Sequence, residues 1–252
     1  MTGRVIFVGA VHEAVPALGA LLDSGAEIAE VVTLPAERSA STSGFVDLEP
    51  LAQAHGIAVR RCANINSVES VRHVEQLRPD LMVVTGWTRL LSAELLSVPP
   101  RGVIGFHASL LPRYRGRAPV NWAILRGETV TGNTMMYLDA GTDTGDIIDQ
   151  LTVPVAPDDT CATVYARVGE AGAEMLRLVG VTTGTTQGAF TGDFYGESWL
   201  LAGENAGPGV QHFGFLHSGS SGETTTCSPY DIELSLGVEF RGRLGCDWCC
   251  ER

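Results

Sequence analysis

The sequence contains no lysine: all 17 basic residues in the 252-residue chain are arginine, against 29 acidic residues. This absence excludes chemistry that needs a lysine amine, such as a P-loop lysine, a pyridoxal Schiff base or a lysine nucleophile. The net charge of −12 opposes general affinity for nucleic acid or for an anionic membrane. We therefore expect the protein to bind neither nucleic acid nor a membrane.

Long apolar runs are also missing, and no run approaches the roughly 18 residues of a membrane span. The first four residues are too few and too weakly basic for a secretory signal, so we expect a cytoplasmic protein. Four of the six cysteines lie in the last 26 residues, where Cys246 and Cys249 form one CxxC pair. No second pair accompanies it, which favours reduced thiols over a zinc site, and we expect no metal.

Strand and helix patterns alternate through most of the chain. An apolar run at 4–10, helical spacing at 15–24 and a β-branched run at 28–34 form a β-α-β unit, which predicts an α/β fold with a parallel sheet. Further helices are predicted at 48–55, 67–77, 119–127 and 159–178, and further strands at 81–84, 102–107, 131–138 and 147–155. Polar residues 39–44 predict a loop.

The character of the sequence changes near residue 179, where periodicity fades and Gly, Ser and Thr become frequent. We therefore divide the chain into a domain at 1–179 and a C-terminal extension of doubtful order at 180–252. Within the extension, residues 232–240 alternate well enough for a strand. The change in composition suits an atypical extension or a shift of reading frame.

Two glycine motifs of common enzymes are absent. Gly9 follows the first predicted strand, but no GxGxxG pattern surrounds it, so we read it as a structural turn and not as a dinucleotide site. No GxSxG nucleophile elbow is present, so direct group transfer is more economical than an acyl-enzyme.

The most informative segment runs from His107 to Asp146. His107 ends a predicted strand, where open α/β sheets bind their ligands, and the sequence Ser-Leu-Leu-Pro follows at 109–112. Asp139, Asp143 and Asp146 share a glycine-containing loop that could meet the imidazole. A carboxylate can orient an imidazole and stabilise its protonated form, which can then donate to the oxyanion of a tetrahedral intermediate. The pattern therefore suits acyl transfer.

The order and spacing of these motifs resemble the 10-formyltetrahydrofolate-dependent formyltransferases, including the methionyl-tRNA, glycinamide ribonucleotide and sugar enzymes. The resemblance covers residues 4–178 and is carried by His-Ala-Ser-Leu-Leu-Pro-Arg-Tyr-Arg-Gly-Arg-Ala-Pro at 107–119, Asp-Thr-Gly-Asp-Ile at 143–147 and Pro-Asp-Leu-Met-Val-Val-Thr-Gly-Trp at 79–87. It implies a Rossmann-like catalytic domain at 1–179 and 10-formyltetrahydrofolate as cosubstrate.

The same resemblance implies the site residues. His107 and Asp143 correspond to the catalytic pair, and Thr134 would support the site. Gly105 stands where the family usually has an Asn that helps hold the formyl oxygen. The folate pocket would be lined by Thr88, Arg89, Leu90 and Leu91 through backbone groups, by Ser109, Leu110, Leu111 and Pro112, and by Asp139, Ala140, Gly141 and Thr142.

The acceptor is less constrained by these motifs. The basic second domain of the tRNA enzymes is not recognisable in the acidic tail, so we expect transfer to a primary amine of a small molecule by a monomer or homodimer. Three alternatives stay open: a 10-formyltetrahydrofolate hydrolase, which Gly105 keeps in view, a methionyl-tRNA formyltransferase and a folate-binding pseudoenzyme. Arg113, Arg115 and Arg117 suit a solvated loop and an acceptor-binding surface equally.

Overall fold

The computed structural model describes residues 3–178, 190–194, 197–205 and 211–217. The chain divides into two compact units, residues 1–183 and residues 184–252. This division falls a few residues after the boundary that the sequence predicts. Among the described residues, no helix is both long enough and apolar enough to cross a membrane.

The first unit alternates strands and helices, as the sequence predicts. Its strands are β1 (Arg4–Gly9), β2 (Glu27–Thr33), β3 (Val59–Arg61), β4 (Leu81–Thr85), β5 (Val103–His107), β6 (Val130–Tyr137) and β7 (Ile147–Pro154). Its helices are α1 (Ala14–Asp23), α2 (Glu49–Ala54), α3 (Val68–Leu77), α4 (Ala93–Leu96), α5 (Pro119–Leu125) and α6 (Cys161–Leu178), with a 3₁₀ helix at Ala36–Ser41.

The seven strands form one sheet in the order β3-β2-β1-β4-β5-β6-β7. The first five strands in this order, β3, β2, β1, β4 and β5, are parallel to one another. Strands β6 and β7 are antiparallel to their neighbours and form one edge of the sheet. The order reverses between β1 and β4, and ligands bind outside the carboxyl ends of strands at such a point. The mostly parallel, Rossmann-like fold that the sequence predicts is confirmed, and it places the residues after β4 and β5 at the same edge.

Helices cover both faces of this sheet because its inner strands are apolar throughout. One core cluster joins Leu18 and Leu21 of α1 to Met175 and Leu176 of α6. The other joins α3 and α4 to the opposite face, where Leu95 is fully buried. Gly9 has a packing role at the end of β1, because a Cβ there would lie 2.6 Å from the Cβ of Ala14.

Some local features differ from the sequence prediction. The segment predicted as a loop at 39–44 begins inside the 3₁₀ helix, which follows Pro35 and is closed by a 2.9 Å bond from the Arg38 amide to the Pro35 carbonyl. Strand β3 was not predicted, since three residues are too few to show an alternating pattern. These differences lie away from the residues that the sequence assigns to the site.

The second unit contains a three-stranded antiparallel sheet of β8 (Phe190–Phe194), β9 (Glu197–Asn205) and β10 (Gln211–His217), in the order β10-β9-β8. The sequence predicts an irregular C-terminal tail, and the structure describes these three strands within it. Their aromatic residues favour strands, but frequent glycines hide the alternation. The strand predicted at 232–240 lies outside the described residues.

Candidate active site

His107 is the last residue of β5 and is only 7% exposed. Its Nε2 lies 2.8 Å from the carbonyl oxygen of Tyr114. Because a carbonyl can only accept, Nε2 carries the proton in this contact. The other ring nitrogen, Nδ1, lies 3.5 Å from Oδ2 of Asp143. Both ring nitrogens therefore face oxygen acceptors.

Asp143 reaches this position from the loop between β6 and β7. Its backbone adopts a left-handed conformation with φ of 52°, which Asp tolerates better than most side chains. Its Oδ2 accepts a 2.7 Å hydrogen bond from the amide of Gly116 in addition to facing His107. The carboxylate is thus fixed from a second side and can hold the imidazole in one orientation.

The other two aspartates of the loop do not contact His107. Asp139 stabilises the loop itself, because its carboxylate accepts from the Gly141 amide at 2.9 Å and from the Thr144 hydroxyl at 2.8 Å. Asp146 is exposed, and its backbone carbonyl accepts from the Tyr137 amide at 2.9 Å. Ala140 and Thr142 are also exposed or partly exposed at the loop surface. Of these three aspartates, only Asp143 lies close enough to His107 to form an ion pair with it.

The segment after His107 turns back on itself. The Ser109 amide donates to the His107 carbonyl at 2.8 Å, and the buried Ser109 hydroxyl donates to the Arg113 carbonyl at 2.6 Å. Leu111 and Pro112 are joined by a cis peptide bond. These turns bring the carbonyl of Tyr114 to His107 and the amide of Gly116 to Asp143. One short segment therefore contacts both predicted catalytic side chains.

Thr134 is fully buried in β6, directly opposite His107 in the strand register. Its hydroxyl donates to the Ser109 carbonyl at 2.6 Å and accepts from the Leu111 amide at 3.1 Å. The side-chain amide of Gln150 donates to the same hydroxyl at 2.8 Å and to the Leu111 carbonyl at 3.0 Å. Gln150 has no motif of its own in the sequence, but its register partner in β7 is Thr134.

Gly105 lies two residues before His107 on the same face of β5. A Cβ placed there would lie 2.4 Å from Cδ2 and 2.7 Å from Cγ of Leu138. Leu138 follows β6, and its amide donates to the Val103 carbonyl at 2.8 Å. The volume that a side chain at position 105 would occupy is therefore filled by an apolar group.

The predicted folate residues at 88–91 follow β4 at the carboxyl edge of the sheet. Leu90 is 63% exposed, while Leu91 packs against the core under α3 and α4. The Leu90 carbonyl accepts a hydrogen bond from the Asn66 side chain at 2.9 Å and can accept a second from another donor. Arg89 donates to the Ala63 carbonyl at 2.9 Å, and Thr88 is exposed.

Acidic and basic side chains meet on the outer side of the 109–118 segment. Glu128 accepts from the Tyr114 hydroxyl at 2.5 Å and pairs with Arg113 at 2.5 Å. The hydrogen bond from Tyr114, followed by the bond and charge of Arg113, lowers the pKa of Glu128. Arg115 and Arg117 are exposed and form no ion pair with any described residue.

The arrangement defines an α/β enzyme-like site in which a His–Asp pair lies at the carboxyl end of a central strand. A family model described as formyl transferase matches residues 5–179. The chain therefore belongs to the formyl transferase family. Among the described residues, no group of His, Cys, Asp and Glu side chains is arranged to hold a metal ion.

Individual relatives agree with this family. The chain is 41% identical over 175 residues to the methionyl-tRNA formyltransferase of Geobacter sulfurreducens, a match that covers 69% of this chain and 55% of the relative. The chain thus spans about half the length of the curated relative that it matches.

Solved structures show the same fold. Phosphoribosylglycinamide formyltransferase from Bacillus halodurans superposes with a TM-score of 0.56 at 24% identity, covering 69% of this chain and 95% of that one. A formyltetrahydrofolate deformylase from Pseudomonas syringae pv. tomato gives a TM-score of 0.59 at 24% identity, covering 72% of this chain and 61% of that one.

Proposed function

We propose that this chain transfers the formyl group of 10-formyltetrahydrofolate to the amino group of methionyl-tRNA in the cytoplasm. This acceptor is supported by the similarity to a methionyl-tRNA formyltransferase, which is 41% identical over 175 residues. It replaces the small-molecule amine that the overall charge and the acidic tail predict. The observation that carries the chemistry is the 3.5 Å approach of His107 Nδ1 to Asp143 Oδ2.

The proposed reaction needs no covalent enzyme intermediate. The amine nitrogen attacks the formyl carbon, and the carbonyl oxygen of the formyl group becomes an oxyanion. The C–N bond to the folate then breaks, the electron pair returns to that folate nitrogen, and a proton from the amine reaches it. Tetrahydrofolate and the formylated amine leave.

His107 and Asp143 have separate roles in this scheme. Protonated His107 donates to the oxyanion, while Asp143 holds the ring and accepts the amine proton directly or through water. In the described structure the Nε2 proton is donated to the Tyr114 carbonyl. The formyl oxygen has to share or take over this donor, so a small movement of the segment around Tyr114 accompanies substrate binding.

A local excess of positive charge supports a nucleic-acid acceptor in spite of the overall charge. Residues 113–128 carry four arginines and one glutamate in a chain of net charge −12. Since ionic interactions are screened beyond a Debye length of about 8 Å at physiological salt, phosphates beside this segment respond mainly to the arginines.

The test measures tetrahydrofolate release from 10-formyltetrahydrofolate with methionyl-tRNA, with a panel of small primary amines and with no acceptor. We expect release that depends on methionyl-tRNA and yields formylated methionine after deacylation. The His107→Ala variant should lose this activity while remaining folded by circular dichroism. Release with small amines but not with methionyl-tRNA would overturn the acceptor.

Hydrolysis of 10-formyltetrahydrofolate is the second candidate, and Gly105 is the observation that favours it. Without a side-chain donor at this position, fewer groups define where the formyl oxygen binds, and water can replace a positioned amine. Equal release with and without methionyl-tRNA would establish hydrolysis in place of transfer.

A further inference from the structure

Two aromatic rings, Tyr114 and Trp122, lie close to the guanidinium group of Arg126. The guanidinium carbon of Arg126 lies 5.5 Å from the ring centroid of Tyr114 and 5.8 Å from that of Trp122. The guanidinium carbon of Arg113 also lies 5.5 Å from the centroid of the Tyr114 ring. Trp122 lies on α5 and is 50% exposed, so part of its ring faces solvent. A large, half-exposed indole next to cations is costly to leave open and suits a planar ligand.

The positive charge of this region is only partly neutralised. Arg113 is paired with Glu128, whose carboxylate also holds the Tyr114 hydroxyl. Arg115, Arg117 and Arg126 form no ion pair with any residue that the structure describes. We call Tyr114, Trp122, Arg115, Arg117 and Arg126 the arginine–aromatic platform. Exposed aromatic surface and several guanidinium groups thus occur together within residues 114–126.

The platform is joined directly to the predicted catalytic pair. The residue that carries the Tyr114 ring also places its carbonyl oxygen 2.8 Å from His107. Two residues later, the amide of Gly116 binds Asp143 at 2.7 Å. A ligand held by the platform is therefore held by the segment that orients both side chains.

We propose that the arginine–aromatic platform binds the single-stranded end of a nucleic acid whose terminal group receives the formyl group. A base stacks on the exposed face of Trp122, and the phosphates contact Arg115, Arg117 and Arg126. Stacking platforms flanked by cations are how proteins bind single strands without reading sequence. A double helix keeps its base faces covered, so the exposed indole favours an unpaired end. This inference rests on the proposed acceptor and names the surface that receives it.

Substitution of Trp122 tests the proposal because the ring is half-exposed and its removal leaves no buried cavity. Base stacking on an aromatic ring contributes about 1–3 kcal/mol, which corresponds to roughly 5- to 150-fold in affinity. We expect Trp122→Ala to raise the KM for methionyl-tRNA within this range and to leave the KM for 10-formyltetrahydrofolate unchanged. Trp122→Tyr should recover most of the loss because it restores a stacking face.

Leu125 provides the matched control, since it is an apolar residue of the same helix and is 76% exposed. Leu125→Ala should change neither KM. A single-stranded RNA of twelve nucleotides ending in CCA is the binding probe that does not depend on catalysis. The full chain should bind it more weakly as salt rises, and Arg126→Gln should make the slope of log Kd against log salt smaller by roughly 0.7.

The outcomes separate the platform from the proposed acceptor. RNA binding that is lost in Trp122→Ala, in a chain that formylates no methionyl-tRNA, would support the platform and overturn the acceptor. Methionyl-tRNA turnover with the same KM in wild type and Trp122→Ala would overturn the platform alone. A raised KM for the folate donor, an equal effect of Leu125→Ala, or no RNA binding by the wild-type chain would also overturn it.

Discussion

Leu138 fills the space beside Gly105, with its Cδ2 placed 2.4 Å from where a Cβ at position 105 would stand. Position 105 lies on the same face of β5 as His107, so a donor there would face the oxyanion of the proposed reaction. Under that proposal, His107 is the side chain of β5 that makes this contact. The two positions are therefore coupled, because a side chain can enter at 105 only if Leu138 moves.

The first prediction follows from this coupling. Gly105→Asn alone should lower both stability and activity because the amide collides with Leu138. In the Leu138→Ala background the same substitution should be tolerated and should raise kcat, by up to about 10²–10³-fold if the amide donates to the oxyanion. A double-mutant cycle in thermal unfolding and in kcat measures the coupling. Strictly additive effects of the two substitutions would contradict it.

A second prediction concerns the catalytic pair. Asp143→Asn removes the charge that faces His107 Nδ1 while keeping a group that can accept from the Gly116 amide. We expect kcat to fall by about 10²–10⁴-fold, the usual scale of a lost acid–base group, with little change in unfolding temperature. The neighbouring Asp146→Asn, exposed in the same loop, is the control. Unchanged kcat in Asp143→Asn would remove Asp143 from the mechanism.

The third prediction tests the buried hydroxyl of Thr134. Thr134→Val keeps the shape of the side chain but removes the hydroxyl that binds the Leu111 amide and the Ser109 carbonyl. Each buried polar group left unpaired lowers the free energy of unfolding by about 1–3 kcal/mol. We expect a lower unfolding free energy and lower kcat, because the segment that holds His107 and Asp143 shifts. Thr134→Ser retains the hydroxyl and should largely retain both properties. Urea unfolding and steady-state kinetics of the two variants decide this.

A fourth prediction concerns pH and the start of α6. The hydrogen bond from Arg167, followed by bonds from the Ala156 amide and the Thr163 hydroxyl, lowers the pKa of Asp159 from 3.8 to about 2. A lowered folded-state pKa stabilises the fold above the unfolded-state value, and this contribution is lost as pH falls from 3.8 toward 2. Wild type should therefore be more stable than Asp159→Asn above this window, and the difference should shrink through it.

The control for this pH experiment is the adjacent residue. Asp158 forms no side-chain hydrogen bond among the described residues, so Asp158→Asn should follow wild type at every pH. Unfolding free energies of the three proteins between pH 7 and pH 2 provide the comparison. A constant difference between wild type and Asp159→Asn across the whole range would contradict the assignment.

Most elements from β1 to α6 could be predicted because apolar residues recur with clear periods of two and 3.6. The exceptions are β3 and α4, with three and four residues, which are too short to show a period. The position of His107 at the end of a strand followed from the same pattern. The contacts of His107 could not be predicted, since they are made by the Tyr114 carbonyl and, through Asp143, by the Gly116 amide. Backbone groups have no side-chain identity, so only the turns of the folded segment reveal them.

Register and packing account for most of what the sequence did not predict at the site. Thr134 and Gln150 face each other because β6 and β7 pair in a particular register, and one residue of slip would separate them. Leu138 enters the gap at Gly105 for the same reason. The resemblance already implied Asp143, and the loop adds the physical reason, since the carboxylate of Asp139 accepts hydrogen bonds from Gly141 and Thr144.

The strands β5, β6 and β7 follow one another both along the chain and across the sheet. Consequently Gly105, His107, Thr134, Asp143 and Gln150 all come from one continuous stretch of 46 residues. In the proposed reaction, the groups that move protons would thus lie in one stretch, whereas the loop after β4 comes from elsewhere in the chain. Under that proposal, exchanging this stretch between relatives would transfer the proton chemistry and leave the loop after β4 of the recipient in place.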